Sequence, residues 1–140
     1  MPEDGAQPRD LRILVVDDNR DAAVMLSALL EVMGYQTSTA HNGLDAVRAA
    51  TRVRYDAVVL DLGMPVMDGF QAAAALGQLR PAPTLIACTG WGDAQTRRRT
   101  ADLGFSAHLT KPVPLDALEA ALALARKTSS GRLRSHGAET

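Results

Sequence analysis

The stretch RILVVDD at residues 12–18 decides the fold of this chain, because its pattern of an apolar run that ends in polar residues recurs three times. The run AVVLD lies at residues 57–61, TLIACT lies at 84–89, and a weaker run, AHLT, lies at 107–110. Short apolar runs of this kind are typical of strands that a parallel sheet buries on both faces. If these strands lie parallel in one sheet, their carboxyl ends meet at one edge.

That edge would bring together five polar side chains. They are three carboxylates, one hydroxyl and one ammonium group, from Asp17, Asp18, Asp61, Thr89 and Lys111. Two like charges about 4 Å apart repel by about 1 kcal/mol in water and by several times more in a partly buried site. The acidic cluster therefore predicts a divalent cation, and the hydroxyl and ammonium groups predict an anion beside it. Taken singly, each residue has a simpler explanation, such as a helix cap for Asp17 or Asp18.

The composition is that of one soluble globular domain. The chain has 140 residues, of which 46% are hydrophobic and 22% are charged, and its net charge is −1. A chain of this length builds one buried core, and its near-neutral charge gives no basis for binding nucleic acid. No apolar stretch reaches the roughly 20 residues that cross a membrane. The single cysteine, Cys88, lies in an apolar run, which predicts a reduced thiol in a cytoplasmic protein.

Strand and helix patterns alternate between two polar ends. We predict a flexible arm at residues 1–10, one domain at 11–127 and a disordered tail at 128–140. The predicted strands are 12–16, 35–40, 57–60, 84–88 and 107–109. The predicted helices run from a cap at Asn19 or Asp21 to residue 33, from 44 to 52, from the pair Asp68 and Gly69 to 79, from 93 to 103 and from 114 to 127. This alternation predicts an α/β fold, a parallel five-stranded sheet with helices on both faces.

Helical spacing of the apolar residues predicts which side of a helix faces the core. The predicted inward residues are Ala23, Leu26, Leu30 and Met33 in the first helix, Leu44 and Val47 in the second, and Leu115, Leu118, Ala121, Leu122 and Ala125 in the last. The fourth helix is polar and carries three consecutive arginines.

Four motifs, each placed at a predicted strand end, resemble those of the receiver domain of bacterial response regulators. They are VVDDN at residues 15–19, DLGMPVMDG at 61–69, TG at 89–90 and KP at 111–112. The resemblance covers roughly residues 11–127 and is specific, because all four motifs occur in the expected order. It implies a flavodoxin-like, doubly wound (βα)5 fold with the strand order 2-1-3-4-5.

The resemblance also implies a role for each residue of the acidic edge. Asp61 would accept a phosphoryl group from the phosphohistidine of a histidine kinase. Asp17, Asp18 and Asp61, with the backbone carbonyl of Gly63, would hold Mg²⁺, which neutralises the charge of the carboxylate and the phosphoryl group.

The resemblance assigns two more groups to the phosphoryl oxygens. Lys111 would pair with one oxygen, and Thr89 would donate a hydrogen bond to another. The bond between Lys111 and Pro112 would be a cis peptide that directs the lysine into the site. Asp68 is better explained as a helix cap beside Gly69 than as a metal ligand.

Three positions around this site leave alternatives open. His108, where the best-known receivers carry Tyr or Phe, is either a switch residue coupled to Thr89 or a histidine at the sheet edge without a signalling role. Gly63 and Trp91 lie two residues after Asp61 and Thr89, at positions that in this family set how fast water removes the phosphoryl group. Trp91 either shields the site or covers the adjoining helix.

The basic run at residues 97–99 is either a solvated face or part of the surface that signals to partners. In receivers this surface comprises the fourth helix, the fifth strand and the fifth helix. Asp102 and Glu119 are the nearby opposite charges, so a weak phosphorylation-dependent dimer is an alternative to a monomer.

We therefore expect a phosphoacceptor response regulator that uses Mg²⁺ and catalyses only its own phosphorylation and dephosphorylation, and is otherwise not an enzyme. Its partners would be a sensor histidine kinase or phosphotransfer protein upstream and a protein downstream, without direct contact with nucleic acid or membrane. Two alternatives are a hybrid-kinase receiver that passes the phosphoryl group onward and an unphosphorylated pseudo-receiver that only binds partners. An aspartyl phosphatase is disfavoured, because those enzymes place a second acid where this chain has Gly63.

Overall fold

A computed structural model describes residues 11–62, 69–90 and 94–125. Five strands form one parallel sheet in the order β2-β1-β3-β4-β5, which confirms the predicted fold class and strand order. The strands are β1 (Arg12–Val16), β2 (Gln36–Ala40), β3 (Ala57–Asp61), β4 (Thr84–Thr89) and β5 (Ala107–Thr110). The predicted arm at 1–10 and the predicted tail at 128–140 lie outside the described residues.

Helices connect the strands and cover both faces of the sheet. They are α1 (Arg20–Val32), α2 (Gly43–Arg52), α3 (Gly69–Leu76), α4 (Ala94–Asp102) and α5, which covers residues 115–125 of the described chain. Asparagine side chains cap the first two helices: Asn19 accepts from the amide of Ala22 at 3.1 Å, and Asn42 accepts from the amide of Asp45 at 2.7 Å. These caps fix where the loops after β1 and β2 end.

Alternate residues of each strand point into two separate cores. Ile13, Val15 and Val59 join the core beneath α1 and α5, whereas Leu14 and Val58 join the core beneath α2 and α3. All residues of β3 and β4 are buried, as expected for strands covered on both faces. Among the described residues, no helix is long and apolar enough to cross a membrane.

The strands extend further toward the functional edge than the apolar pattern predicts. β3 includes Asp61, β4 includes Thr89 and β5 includes Thr110. In the sheet, Asp61 lies beside Cys88, and Thr89 lies beside Thr110. Strand pairing, and not a loop, therefore holds Asp61, Thr89 and Thr110 in place.

The predicted end of α3 was three residues too late. The helix ends at Leu76, and Gln78 and Leu79 instead donate to the carbonyls three residues earlier, at 3.2 and 3.1 Å. A guanidinium nitrogen of Arg80 donates to the carbonyls of Gly77 and Leu79, at 2.8 and 2.7 Å, and so satisfies acceptors in the turn that follows the helix.

Two predicted inward residues face solvent instead. The side chain of Leu44 is 38% exposed and that of Leu115 is 46% exposed. Both lie in the first turn of their helices, at the carboxyl edge of the sheet, where the core ends. The inward residues further along α5, Leu118 and Leu122, are buried as predicted.

Candidate functional site

Three carboxylates meet at the carboxyl edge of the sheet. Oxygen atoms of Asp17, Asp18 and Asp61 all lie within 4.8 Å of one another. Asp17 and Asp61 are buried, with 7% and 9% exposure, whereas Asp18 is exposed. Such a group combines mutual repulsion with open access from solvent, which is the arrangement that a hard divalent cation stabilises.

Asp17 is held by hydrogen bonds from several elements. Its amide donates to the carbonyl of Ala40 at 3.1 Å, which continues the pairing of β1 with β2. One carboxylate oxygen accepts from the amide of Asn19 at 3.0 Å, and the other accepts from Nζ of Lys111 at 2.9 Å. The carboxylate therefore has a fixed orientation.

Lys111 lies between the two buried acids. Its Nζ is 2.9 Å from Oδ2 of Asp17 and 3.6 Å from Oδ2 of Asp61. The backbone that presents Lys111 is anchored to β4, because its amide donates to the carbonyl of Thr89 at 2.8 Å, and the bond from Lys111 to Pro112 is cis. The ammonium group thus partly neutralises the acidic cluster.

The pKa values of this pair move in opposite directions. Burial raises the pKa of Asp17, but the hydrogen bonds from Lys111 and the Asn19 amide and the charge of Lys111 oppose it, so that the net pKa lies below its ordinary value. Burial lowers the pKa of Lys111, but the hydrogen bond to Asp17 and the charges of both acids raise the net pKa above its ordinary value. Both groups are therefore charged at neutral pH.

Thr89 ends β4 next to these charges. It is 1% exposed, and its backbone carbonyl is the one that accepts from the Lys111 amide. The neighbouring residue Cys88 lines the same pocket, and its carbonyl accepts from the amide of Leu62 at 3.1 Å, which fixes the start of the loop after Asp61. A hydroxyl, an ammonium group and a carboxylate thus occupy the ends of adjacent strands.

The donor set fits a magnesium ion. Three carboxylates supply hard oxygen ligands, one of them exposed, and Mg²⁺ binds such oxygens while it keeps several waters. The predicted fourth ligand, the carbonyl of Gly63, lies outside the described residues, as does Asp68.

Of the remaining predicted positions, the structure describes His108 and the three arginines. His108 lies half-buried on β5, where it pairs with Ala87 of β4. Trp91 lies outside the described residues. Arg97, Arg98 and Arg99 are exposed on α4, and the guanidinium carbon of Arg99 lies 3.7 Å from the ring centre of Phe70 on α3.

The sequence reasoning missed two features beside the acids. A cavity of about 350 Å³ joins the site to α1, and it is lined by the buried acids, Lys111 and Pro112, and by Ala22, Met25, Leu26 and Leu29. The outward side of α1 is apolar, because Met25, Leu29 and Val32 are 72%, 41% and 85% exposed. Their spacing of four and three residues could have revealed this second apolar stripe.

The second missed feature is His41, directly after β2. Its Nδ1 lies 3.2 Å from the backbone carbonyl oxygen of Asp17. The sequence offered no signal for this contact, because it joins residues 24 positions apart through the register of two strands.

Comparison with known proteins gives one family. Residues 13–123 match the model of the response regulator receiver domain. The chain is 35% identical over 115 residues to the sensor histidine kinase RcsC of Escherichia coli, an alignment that covers 82% of the chain but 12% of that kinase. It is 32% identical over 111 residues to sporulation initiation phosphotransferase F of Bacillus subtilis, which covers 79% of the chain and 90% of that protein.

Two solved structures show the same fold. The receiver domain of the sensor histidine kinase PA1611 from Pseudomonas aeruginosa, with a magnesium ion in its active-site cleft, has a TM-score of 0.75 and 30% identity, with 84% of this chain and 98% of that chain covered. The receiver domain of the response regulator Ssk1 from Saccharomyces cerevisiae, in complex with the phosphotransfer protein Ypd1, has a TM-score of 0.72 and 25% identity. That comparison covers 78% of this chain and 83% of the matched chain.

Proposed function

Because this chain belongs to the response regulator receiver domain family, a family of signalling modules and not of classical enzymes, we propose that its Asp61 accepts a phosphoryl group from a phosphohistidine. One observation carries the proposal. Lys111 reaches both buried acids, at 2.9 and 3.6 Å, so a cation for the phosphoryl oxygens lies directly beside the nucleophile.

The transfer forms one bond and breaks one. A carboxylate oxygen of Asp61 attacks the phosphorus, the bond from phosphorus to the histidine nitrogen breaks, and the electron pair of that bond returns to the imidazole. Charge builds on the phosphoryl oxygens, where Lys111 can pair with one and the hydroxyl of Thr89 can donate to another. The buried positions of Asp61 and Thr89 keep these groups in place before the donor arrives.

Asp17, Asp18 and Asp61 would hold Mg²⁺, together with the carbonyl of Gly63. When bound, the ion supplies the positive charge that lets an anionic carboxylate approach an anionic phosphoryl group. Asp17 contributes a carboxylate whose orientation is already fixed by Asn19 and Lys111. Asp18 contributes an exposed carboxylate at the mouth of the site.

The chain would also control how long the phosphoryl group persists. In this proposal Gly63 and Trp91 set the access of water to the phosphoaspartate, and its hydrolysis is the only other reaction that the domain catalyses. Thr89 and His108 would form the switch, which transmits phosphorylation from the end of β4 to β5. We also propose a cytoplasmic location, because the single cysteine is expected to be reduced.

The apolar outward side of α1 supports a protein as phosphoryl donor. Met25 and Leu29 line the cavity that leads to Asp61, and both are exposed together with Val32. An exposed apolar surface beside a polar site is typical of a docking surface for another protein. The donor would be a sensor histidine kinase or a histidine phosphotransfer protein whose helix covers this side of α1.

The output would pass through α4, β5 and α5 to a second protein. The domain would make no direct contact with nucleic acid or membrane. It would be a monomer or a weak phosphorylation-dependent dimer.

The chain spans 12% of the length of RcsC and 90% of that of the phosphotransferase. A hybrid-kinase receiver that passes the phosphoryl group onward is therefore the second proposal, and the RcsC match supports it.

Incubation of the purified chain with Mg²⁺ and phosphoramidate tests the central claim. We expect the mass gain of one phosphoryl group in the wild type and in an Asp102→Asn control, whose carboxylate is exposed on α4, but not in Asp61→Asn. Chelation of Mg²⁺ should remove the reaction. A wild type that takes up no phosphoryl group would instead support a pseudo-receiver that acts only by binding.

A further inference from the structure

We propose that His41 is a positioning residue for the metal-binding acids, acting through the backbone of Asp17. His41 follows β2 and is half-buried. Its ring touches the main chain of Asp17 rather than a carboxylate, so it contributes no ligand. Its effect is on the direction in which the loop after β1 leaves the sheet.

The end of β2 holds both polar groups of the Asp17 backbone. The amide of Asp17 donates to the carbonyl of Ala40 at 3.1 Å, and the carbonyl of Asp17 lies 3.2 Å from Nδ1 of His41. A carbonyl oxygen only accepts, so Nδ1 must carry the proton in this contact. Two successive residues at the end of β2 thus clamp the residue that directly follows β1.

This clamp constrains the backbone between the two acids, Asp17 and Asp18. The carbonyl of Asp17 belongs to the peptide unit that leads to Asp18, and that unit is planar. Fixing its oxygen therefore fixes the direction toward the α-carbon of Asp18. The carboxylate of Asp17 is already fixed by Asn19 and Lys111, so the clamp holds the α-carbon of Asp18 at a set place relative to that carboxylate and limits where the Asp18 side chain can reach.

His41 is itself held in place by a helix cap. Its neighbour Asn42 accepts from the amide of Asp45 at 2.7 Å and donates to the carboxylate of the same residue at 3.1 Å. The start of α2 is thus connected through two adjacent residues to the loop that carries the acids. The proposed positioning role rests on the proposed function, because it assumes that Asp17 and Asp18 bind Mg²⁺.

The test uses the difference in reach between two amides. The side-chain nitrogen of asparagine can occupy the place of histidine Nδ1, whereas that of glutamine extends to the place of Nε2. We expect His41→Ala and His41→Gln to raise the Kd for Mg²⁺ by about threefold to tenfold, the effect of one hydrogen bond, and His41→Asn to stay within about twofold of the wild type. The Kd is measured by calorimetric titration of the unphosphorylated protein with Mg²⁺ alone.

A second measurement needs no metal. In the absence of metal, we expect hydrogen exchange at the amide of Asn19, which donates to Asp17, to be faster in His41→Ala and His41→Gln than in the wild type. In His41→Asn we expect the wild-type rate. Equal effects of all three substitutions would assign the role to packing of the ring and overturn the proposal. Variants with lowered thermal stability but an unchanged Kd for Mg²⁺ would also overturn the proposal.

The proposed function fails in a distinguishable way. If the wild type binds no Mg²⁺, or if Asp18→Asn binds it as tightly as the wild type, the acidic site itself has been misassigned. If the wild type binds Mg²⁺ and His41→Ala binds it equally well, only the positioning role is wrong.

Discussion

Helices α1 and α4 both lie beside functional strand ends, but they are attached to the domain in different ways. α1 buries Ala23 and Leu30 completely and packs Leu26 and Met33 against the same core. Of the α4 side chains that the structure describes, at 97–102, one is buried, that of Thr100, and its hydroxyl donates to the carbonyl of Arg97 in its own helix. α1 is therefore held by the core through several residues, whereas the described side chains of α4 contribute one buried residue, Thr100.

Their outward sides differ as well. α1 presents Met25, Leu29 and Val32 to solvent, and α4 presents a run of arginines. A firmly packed helix with an apolar surface suits the docking of a protein donor, because its buried side chains oppose movement of the helix. A charged helix that buries one of its six described side chains suits output, because less buried surface opposes its movement.

The largest expected difference is in stability. Leu30→Ala on α1 should lower the free energy of unfolding by about 2–5 kcal/mol, since Leu30 is fully buried. Thr100→Ala on α4 should lower it by about 1–2 kcal/mol, because it removes a buried methyl group and a hydroxyl that bonds within its helix. Urea denaturation measures both. Equal losses would show that α4 is packed as firmly as α1.

The next difference is in phosphotransfer from proteins. Met25→Glu on α1 should slow transfer from phosphorylated histidine phosphotransfer domains by about tenfold or more, as expected for a charge placed at the centre of an apolar interface. Arg98→Glu on α4 should leave that rate nearly unchanged. Arg98→Glu should react with phosphoramidate like the wild type, and Met25→Glu, whose side chain lines the cavity, should lose much less in this reaction than in transfer from the protein. Slow transfer in Arg98→Glu, with normal transfer in Met25→Glu, would move the donor surface to α4.

The pocket beside α1 should also respond to acid. The net pKa of Asp17 is lowered, so its stabilising effect is present above its ordinary value of 3.8 and is lost as the pH falls through the folded-state value. The net pKa of Lys111 is raised, so its effect is present below its ordinary value of 10.5 and is lost as the pH rises through the folded-state value. Between about pH 5 and 9 the pair should therefore contribute a constant amount.

Removal of the lysine separates this effect from general acid unfolding. In metal-free protein, Lys111→Met should move the acid unfolding midpoint to a higher pH, because Asp17 loses its main stabilising partner. Arg48→Met is the control, since its ion pair with Asp45 spans 3.8 Å and both side chains are more than half exposed. Circular dichroism during acid titration measures the midpoint. Identical shifts in both variants would refute a specific role of the pair.

The smallest expected effect concerns the contact between α3 and α4. The guanidinium of Arg99 stacks on Phe70, an interaction worth about 0.5–1 kcal/mol at an exposed site. Phe70→Leu and Arg99→Met should therefore speed hydrogen exchange in α4 by about twofold to fivefold. Arg98→Met, on the same helix, should leave exchange unchanged. Unchanged exchange in all three would mean that the stack does not restrain α4.

The sheet could be predicted from the sequence because its strands are continuous apolar runs. β1 was predicted with both of its observed ends, and the other strands differ by one residue at an end. The end of α3 could not be found in this way, because the residues after Leu76 continue as tighter turns with bonds to the carbonyls three residues earlier, which the apolar pattern does not distinguish from a helix. Periodicity likewise does not show where a core stops, which is why Leu44 and Leu115 were placed inward.

The acidic cluster was also readable from the sequence, since parallel strands bring their carboxyl ends together. The structure does bring Asp17, Asp18, Asp61 and Lys111 to one place. His41 was not readable, because its contact depends on the register between β1 and β2 and on the course of the backbone after β2. A contact to a backbone atom far away in the sequence depends on strand register, which residue type does not encode.

The reaction rate of the buried cysteine can report how often this domain opens. Burial raises the pKa of Cys88 to about 11, so at neutral pH only about one thiol in ten thousand is ionised and reactive. Oxidants in the cell should therefore leave the pocket untouched while the sheet stays closed. Because the chain contains one cysteine and it lines the cavity beside Asp61, the rate at which an alkylating reagent consumes it measures how often this cavity opens to the reagent, with and without a phosphoryl group.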